Sequence, residues 1–239
     1  FIGLKRDIPP ELLVLATSIL PYADDTLTVH TIGLINQILD KTVLPEEALT
    51  KLCALASDRG LAEVVRRQSL AAISNLPTGS GYKTALNPLV KNIDESNNVL
   101  RDSSINLLTL AIRDGYLLPE PLTKEFEARS ISIMRQVSLD LKTKERIFYS
   151  LASMVADSYI PSVELIELLE NKKTNQWSRA ELFALRQFIQ HVNPKDLYIP
   201  STLLDGIIKT AELGDNLSIK KEALLAVEIA AVTELYSPS

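Results

Sequence analysis

Apolar residues recur along this chain at the three- and four-residue spacing of one helix face, in short runs broken by proline, glycine or asparagine. Leu49, Leu52, Leu55 and Ala56 mark one such face, Leu165, Leu168 and Leu169 another, and Leu203, Leu204, Ile207 and Ile208 a third. Polar turns intervene at Asp58-Arg59-Gly60, from Asp94 to Asn98, and at Gly214-Asp215-Asn216. Beyond each turn the pattern predicts a second helix that is more apolar throughout, as in Ser104 to Ile112 and Ala223 to Val232. That is expected of a helix packed on its own partner and on both neighbouring units. Proline opens the first helix of each unit, where its fixed φ is already helical and its missing N–H costs nothing. Acidic residues follow, as in Pro45-Glu46-Glu47, where they complement the helix dipole.

These hairpins repeat. Tyr159-Ile160-Pro161-Ser162, Tyr198-Ile199-Pro200-Ser201 and Tyr236-Ser237-Pro238-Ser239 share one step, and Tyr116-Leu117-Leu118-Pro119 is a looser copy. Successive tyrosines lie 43, 39 and 38 residues apart. Ile8-Pro9 and Leu44-Pro45 open similar segments upstream, and Asn87-Pro88 is a weaker candidate. A period near 40 residues accommodates two short helices and two turns. The second helices also superimpose in sequence. With His30, Arg66, Arg101, Lys144 and Lys220 as one column, Leu34, Leu70, Ile105, Phe148 and Leu224 follow four residues later. In the fifth unit either Arg179 or Ser178 fits the column.

Val64-Val65-Arg66 and Val99-Leu100-Arg101-Asp102, each followed by small and apolar residues, give the second helices a Val-Arg start that resembles the HEAT repeat family. The resemblance spans essentially the whole chain and leaves HEAT and armadillo subtypes open. It implies an all-α, right-handed α-solenoid of about six hairpins in a single domain over 1–239. The expected repeats are 8–43, 44–83, 84–116, 117–159, 160–198 and 199–236. The closing Tyr236 step stands where another unit would begin, and the first residue is Phe1, so the chain reads as a piece of a longer protein.

Composition agrees with this picture and narrows the function. Hydrophobic residues make up 46% of the chain, aromatic residues 5%, and glycine occurs only 8 times in 239 positions, a mixture that favours helices over sheets. The formal net charge of −5 disfavours nucleic acid as a partner. Cys53 stands alone, so no internal disulfide forms; flanked by Leu52, Ala54 and Leu55, it reads as a small core residue, and the expected compartment is cytoplasmic. No apolar run reaches the length of a membrane span. Lys5-Arg6 followed by Leu12 to Leu20 has the outline of a secretory signal, but Asp7, Pro9, Pro10 and Glu11 interrupt it.

Catalytic and metal-binding constellations are missing from the sequence. His30 and His191 are far apart, and with Cys53 they assemble no zinc site; no spaced His-Glu pairs suggest a di-iron centre. Gly79-Ser80-Gly81 is the only glycine-rich stretch and lacks a phosphate-loop pattern. No catalytic residue, metal ligand or cofactor is therefore expected. The expected function is a non-catalytic protein–protein interaction scaffold, presenting an extended groove to a partner protein or to another part of its parent chain. The alternatives are a nucleic-acid-repair enzyme of DNA-glycosylase type and a lipid-transfer superhelix. A glycosylase needs a basic groove with aromatics, and Trp177 is the only tryptophan, read here as packed into its hairpin.

The candidate binding residues are Arg66, Arg101, Lys144, Arg179 and Lys220. Stacked hairpins turn equivalent positions into a ladder, and such a cationic ridge suits an acidic peptide through charge-assisted carboxylate contacts. Alternatively each cation bonds to an acidic group of the adjacent turn, with Asp58, Asp94 or Glu95, and Asp215 as partners, and ties repeats together. Charge reversal separates the two: a ridge loses its partner without unfolding, whereas a tie destabilises the fold.

Overall fold

A computed structural model describes residues 10–19, 25–39, 46–74, 82–136, 139–155, 159–172, 176–197 and 199–233. These residues form an all-α solenoid. The helices in chain order are α1 (Pro10–Ile19), α2 (Asp25–Leu39), α3 (Glu46–Ser57), α4 (Glu63–Ser74), α5 (Tyr82–Lys91) and α6 (Asn98–Arg113), then α7 (Glu120–Met134), α8 (Leu141–Met154), α9 (Val163–Glu170), α10 (Arg179–His191), α11 (Ser201–Leu213) and α12 (Leu217–Val232). No strand occurs among the described residues.

The chain divides into two compact units, Phe1–Leu108 and Thr109–Ser239, with the division inside α6. Within the first unit, α1, α3 and α5 pack in sequence as one layer, while α2 packs on α4 in the other. Within the second, α7, α9 and α11 form the first-helix layer and α8, α10 and α12 the second-helix layer. In the second unit α8 thus meets α7 and α10, and α12 meets α10 and α11. The second helices are nevertheless not consistently the more apolar ones: α4 carries Glu63, Arg66 and Arg67, α10 carries Arg179, Glu181 and Arg186, and neither is more apolar than the first helix before it.

Local sequence sets the helix starts, and proline stands at several of them: Pro10 is the first residue of α1 and Pro121 lies in the first turn of α7. Pro119 and Pro200 occupy the N-cap positions of α7 and α11, outside the first turn, without a side-chain cap bond. Pro161 precedes Ser162, whose hydroxyl caps α9 by accepting from the Leu165 N–H at 3.3 Å. Asp140 caps α8 by accepting from the Thr143 N–H at 3.0 Å, and Asn216 caps α12. Ser178 and Glu181 form a reciprocal capping box at the start of α10. Pro88 opens nothing: it lies inside α5, which begins at Tyr82. The helix tolerates the lost N–H because Ala85, Leu86, Leu89 and Val90 are all buried around it. Gly115, at φ 87°, supplies the left-handed residue of the turn after α6.

The cores are aliphatic, with Phe126, Phe148 and Phe188 the largest fully buried side chains. Cys53 is buried in the first unit, and burial pushes its thiol pKa up to about 12, which makes it an inert packing residue. Trp177 is buried at the head of α10, with the Lys172 ammonium 5.9 Å from its ring centroid. Tyr159 packs its ring edge-on to Phe188 at 6.4 Å, and its hydroxyl lies toward the buried Glu127. Glu127 in turn accepts the Ser162 N–H at 2.8 Å, joining α7 to the start of α9. Tyr116 is half-buried. Tyr198, Tyr236, Pro9, Pro45 and the Gly79–Gly81 stretch lie outside the described residues.

Candidate functional site

The five column cations have different surroundings. Arg66 is buried, with 5% of its surface exposed. Its Nη2 lies 2.5 Å from Glu95 Oε2, and its Nε donates to the Ala56 carbonyl at 3.3 Å. Asn92 donates to the same carbonyl at 3.0 Å. Arg59, from the turn before α4, reaches Asp94 at 2.8 Å and Glu95 at 3.5 Å. The turn between α5 and α6 is therefore clamped to the α3–α4 hairpin by a buried Arg66–Glu95 pair with the exposed Arg59 at its edge. Burial by itself raises the Glu95 pKa, but the hydrogen bond from Arg66 and the charges of Arg66 and Arg59 outweigh it, so the carboxyl is held below its ordinary range.

Arg101 is also buried, with its Nε 3.2 Å from Asp102 Oδ1. Lys144 and Lys220 are half-buried, and neither makes an ion pair with the described residues. Arg179 is exposed, its side chain 62% accessible, with Nε 3.9 Å from the buried Glu222. Arg186, two turns further along α10 and half-buried, donates to Glu222 at 2.6 Å and stacks its guanidinium 5.1 Å from the Phe183 ring.

Burial fixes the register that sequence left open. On α4 the buried positions after Arg66 are Ser69, Leu70, Ala72 and Ile73. The same intervals from Arg101 reach Ser104, Ile105, Leu107 and Leu108, and from Lys144 they reach Ile147, Phe148, Ser150 and Leu151, all buried. On α10 the buried set Glu181, Leu182, Ala184 and Leu185 places Ser178, not Arg179, in the column. On α12 buried Glu222, Ala223 and Ala226 place Ile219 there, not Lys220. Leu224, aligned by sequence with core leucines, is instead 62% exposed, because α12 buries an alanine row and turns its leucine outward. Leu34 departs in the same way at 47% exposure, while Ile32 and Ile35 are fully buried. Arg66, Arg101 and Lys144 thus occupy equivalent positions, and Arg179 and Lys220 sit one residue further round their helices.

Five residues beyond each column position lies a row the sequence alignment did not isolate: Ala71, Asn106, Tyr149, Phe183 and Leu224. In the first unit, Ala71 and Asn106 join Arg67, Gln68 and Ser103 in lining a shallow polar groove of about 300 Å³ between α4 and α6. In the second, the Tyr149 and Phe183 rings lie 5.5 Å apart at a tilt of 52°. The missed signal was the large apolar side chain at the same helical offset on α8, α10 and α12. It becomes readable only after the register is known.

Charge in the second unit is sorted by layer. The first helices α7, α9 and α11 carry eight acidic and three basic residues, net −5. The second helices α8, α10 and α12 carry seven basic and four acidic residues, net +3. Two of those four acids, Glu181 and Glu222, are buried. A cleft of about 490 Å³ in the same unit lies between the Tyr116 and Tyr159 steps, lined by Leu117, Leu118, Met154 and Ile160. Among the described residues no group of three or more His, Cys, Asp or Glu is arranged to hold a metal ion. No helix among them is long and apolar enough to cross a membrane.

No family model matches this sequence, and no curated protein matches it. Solved structures do. One, described as computationally designed armadillo repeat proteins for modular peptide recognition, superimposes with a TM-score of 0.64 at 16% identity, covering 91% of this chain and 99% of the other. A designed armadillo repeat protein, YIII(Dq.V1)4CPAF in complex with peptide (KR)4, gives 0.62 at 14% identity, covering 91% and 98%. An engineered protein of a structural genomics consortium gives 0.57 at 14% identity, covering 92% and 97%. At such identities the likeness is one of fold: the chain is an all-helical repeat solenoid of the armadillo-like kind.

Proposed function

We infer that the protein is a non-catalytic binding scaffold whose second-helix layer receives an acidic polypeptide segment, from a partner protein or from its own parent chain. The observation that carries this reading is the sorting of charge in the second unit, where an acidic chain keeps a net basic layer on α8, α10 and α12. The fold is shared with armadillo designs made for peptide recognition, which supports a polypeptide as the class of ligand. Of the five cations, Lys144, Arg179 and Lys220 serve the surface. Arg66 and Arg101, being buried, belong to the packing of the first unit. The free, buried Cys53 fits a reducing, cytoplasmic setting.

The base-excising alternative loses support from Trp177, which is buried and so placed away from any exposed base. The lipid-carrier alternative loses it from the seven cations of the second-helix layer. The test is charge reversal at two exposed positions, Arg179→Glu with Lys221→Glu, assayed by calorimetric titration with a glutamate-rich peptide. Affinity is expected to fall about tenfold or more at low salt, with the melting temperature kept. Equal affinity in the reversed variant sinks the assignment of this layer.

A further inference from the structure

Tyr149, Phe183 and Leu224 hold equivalent positions on α8, α10 and α12, helices that pack one on the next. Tyr149 is 37% exposed and Leu224 62%. Phe183 between them is half-buried, so two exposed apolar side chains and one partly covered ring share one offset on three consecutive helices. A patch of this kind marks an interaction site where scattered residues do not. Arg186 fixes one side of it, held against the Phe183 ring by its bond to Glu222. Arg179 and Lys221 flank it as exposed cations. The row therefore alternates apolar footholds with positive charge.

We propose that this row sets the sequence pattern of the bound segment: an extended acidic chain crossing the helices, with one apolar anchor for every two or three residues. The inference rests on the scaffold reading above. Neighbouring packed helices stand about 8–10 Å apart. An extended chain advances about 3.3 Å per residue, so it passes from one helix to the next in two to three residues. In a polyproline II chain, with a rise of about 3.1 Å, every third side chain returns to one face. Apolar anchors at that interval therefore meet Tyr149, Phe183 and Leu224 in turn, while the acidic residues between them turn sideways toward Arg179 and Lys221. Aromatic and arginine groups at the centre of a contact carry most of its energy. A single-stranded nucleic acid also offers negative charge and stacking faces. The aliphatic Leu224 at the end of the row offers no stacking face for a base and favours the peptide.

The experiment measures fluorescence anisotropy of labelled probes titrated with the full chain. The probes are peptides of repeated Asp-Asp-Leu, Asp-Leu, Asp-Asp-Ser and Lys-Lys-Leu, and an oligo-dT strand. One of the leucine-bearing acidic peptides is expected to bind about tenfold more tightly than Asp-Asp-Ser. Leu224→Ser is expected to erase most of that difference while leaving the Asp-Asp-Ser affinity and the melting temperature unchanged. Equal binding of the leucine and serine peptides, or an unchanged difference in Leu224→Ser, overturns the anchor pattern and leaves the acidic-scaffold reading standing. Tighter binding of Lys-Lys-Leu or oligo-dT overturns the acidic partner. Failure of every peptide to bind overturns the scaffold reading and the anchor pattern together.

Discussion

A guanidinium behaves differently according to what lies within reach of it, and two arginines of this chain mark the extremes. Arg66 is withdrawn from water and meets Glu95, Asn92 and the Ala56 carbonyl; Arg179 stands in solvent near one carboxylate. Removing one partner of a buried pair leaves the other charge unpaired, so Arg66→Ala is expected to cost about 3 kcal/mol, read from the midpoint of urea unfolding. Charge reversal at Arg66 and Arg101 is expected to unfold the first unit, which makes it useless as a test of binding. The pH dependence follows from Glu95, whose folded pKa lies below its unfolded value of about 4.3. Its contribution is complete above that value and is lost as pH falls through the lower folded pKa. Glu95→Gln is therefore less stable at neutral pH, and its stability declines less steeply than wild type below about pH 4.3, in acid unfolding followed by circular dichroism.

Helix starts carry their own energies. α10 begins with Trp177 buried behind it, Ser178 accepting from the Glu181 N–H, and Glu181 accepting from the Ser178 N–H at 2.8 Å. Lys172 closes the same carboxylate from the other side. Ser178→Ala removes one half of this reciprocal cap and is expected to cost about 1 kcal/mol in thermal unfolding, with helix content retained. α12 shows the opposite influence, of packing on register. Its buried face is Ala223, Ala226 and Ala230 with Glu222 among them, so small residues seat it closely and Leu224 turns outward. Glu222 escapes an isolated buried charge because Arg186 donates to it at 2.6 Å, with Arg179 at 3.9 Å beyond.

At the scale of the molecule, a helical repeat draws stability from nearest neighbours in sequence, so a local lesion stays local. In hydrogen exchange, Arg66→Ala is expected to speed exchange in α3, α4 and α5, which the Arg66 cluster joins, and to leave α10 and α12 protected. Uniform acceleration across all helices would show instead that the chain unfolds as one cooperative body. The same scale governs charge. A net charge of −5 averages over an acidic first-helix layer and a basic second-helix layer in the second unit, and the average conceals the basic one.

The sequence by itself determined the hairpin repeat and the all-α class. Proline, caps and three-to-four spacing are local signals, and local propensity settles where helices begin and which residues are apolar. It also placed Cys53 and Trp177 in the core, and named Glu95 among the acidic partners of the column. Tertiary structure alone decided rotation about each helix axis. A shift of one residue turns a helix by about 100°, enough to exchange core for surface. That choice depends on the helices packed alongside, which no local pattern encodes. It moved Arg179 and Lys220 off the column, brought Leu224 into solvent beside the aromatic row, and withdrew Arg66 and Arg101 from the surface.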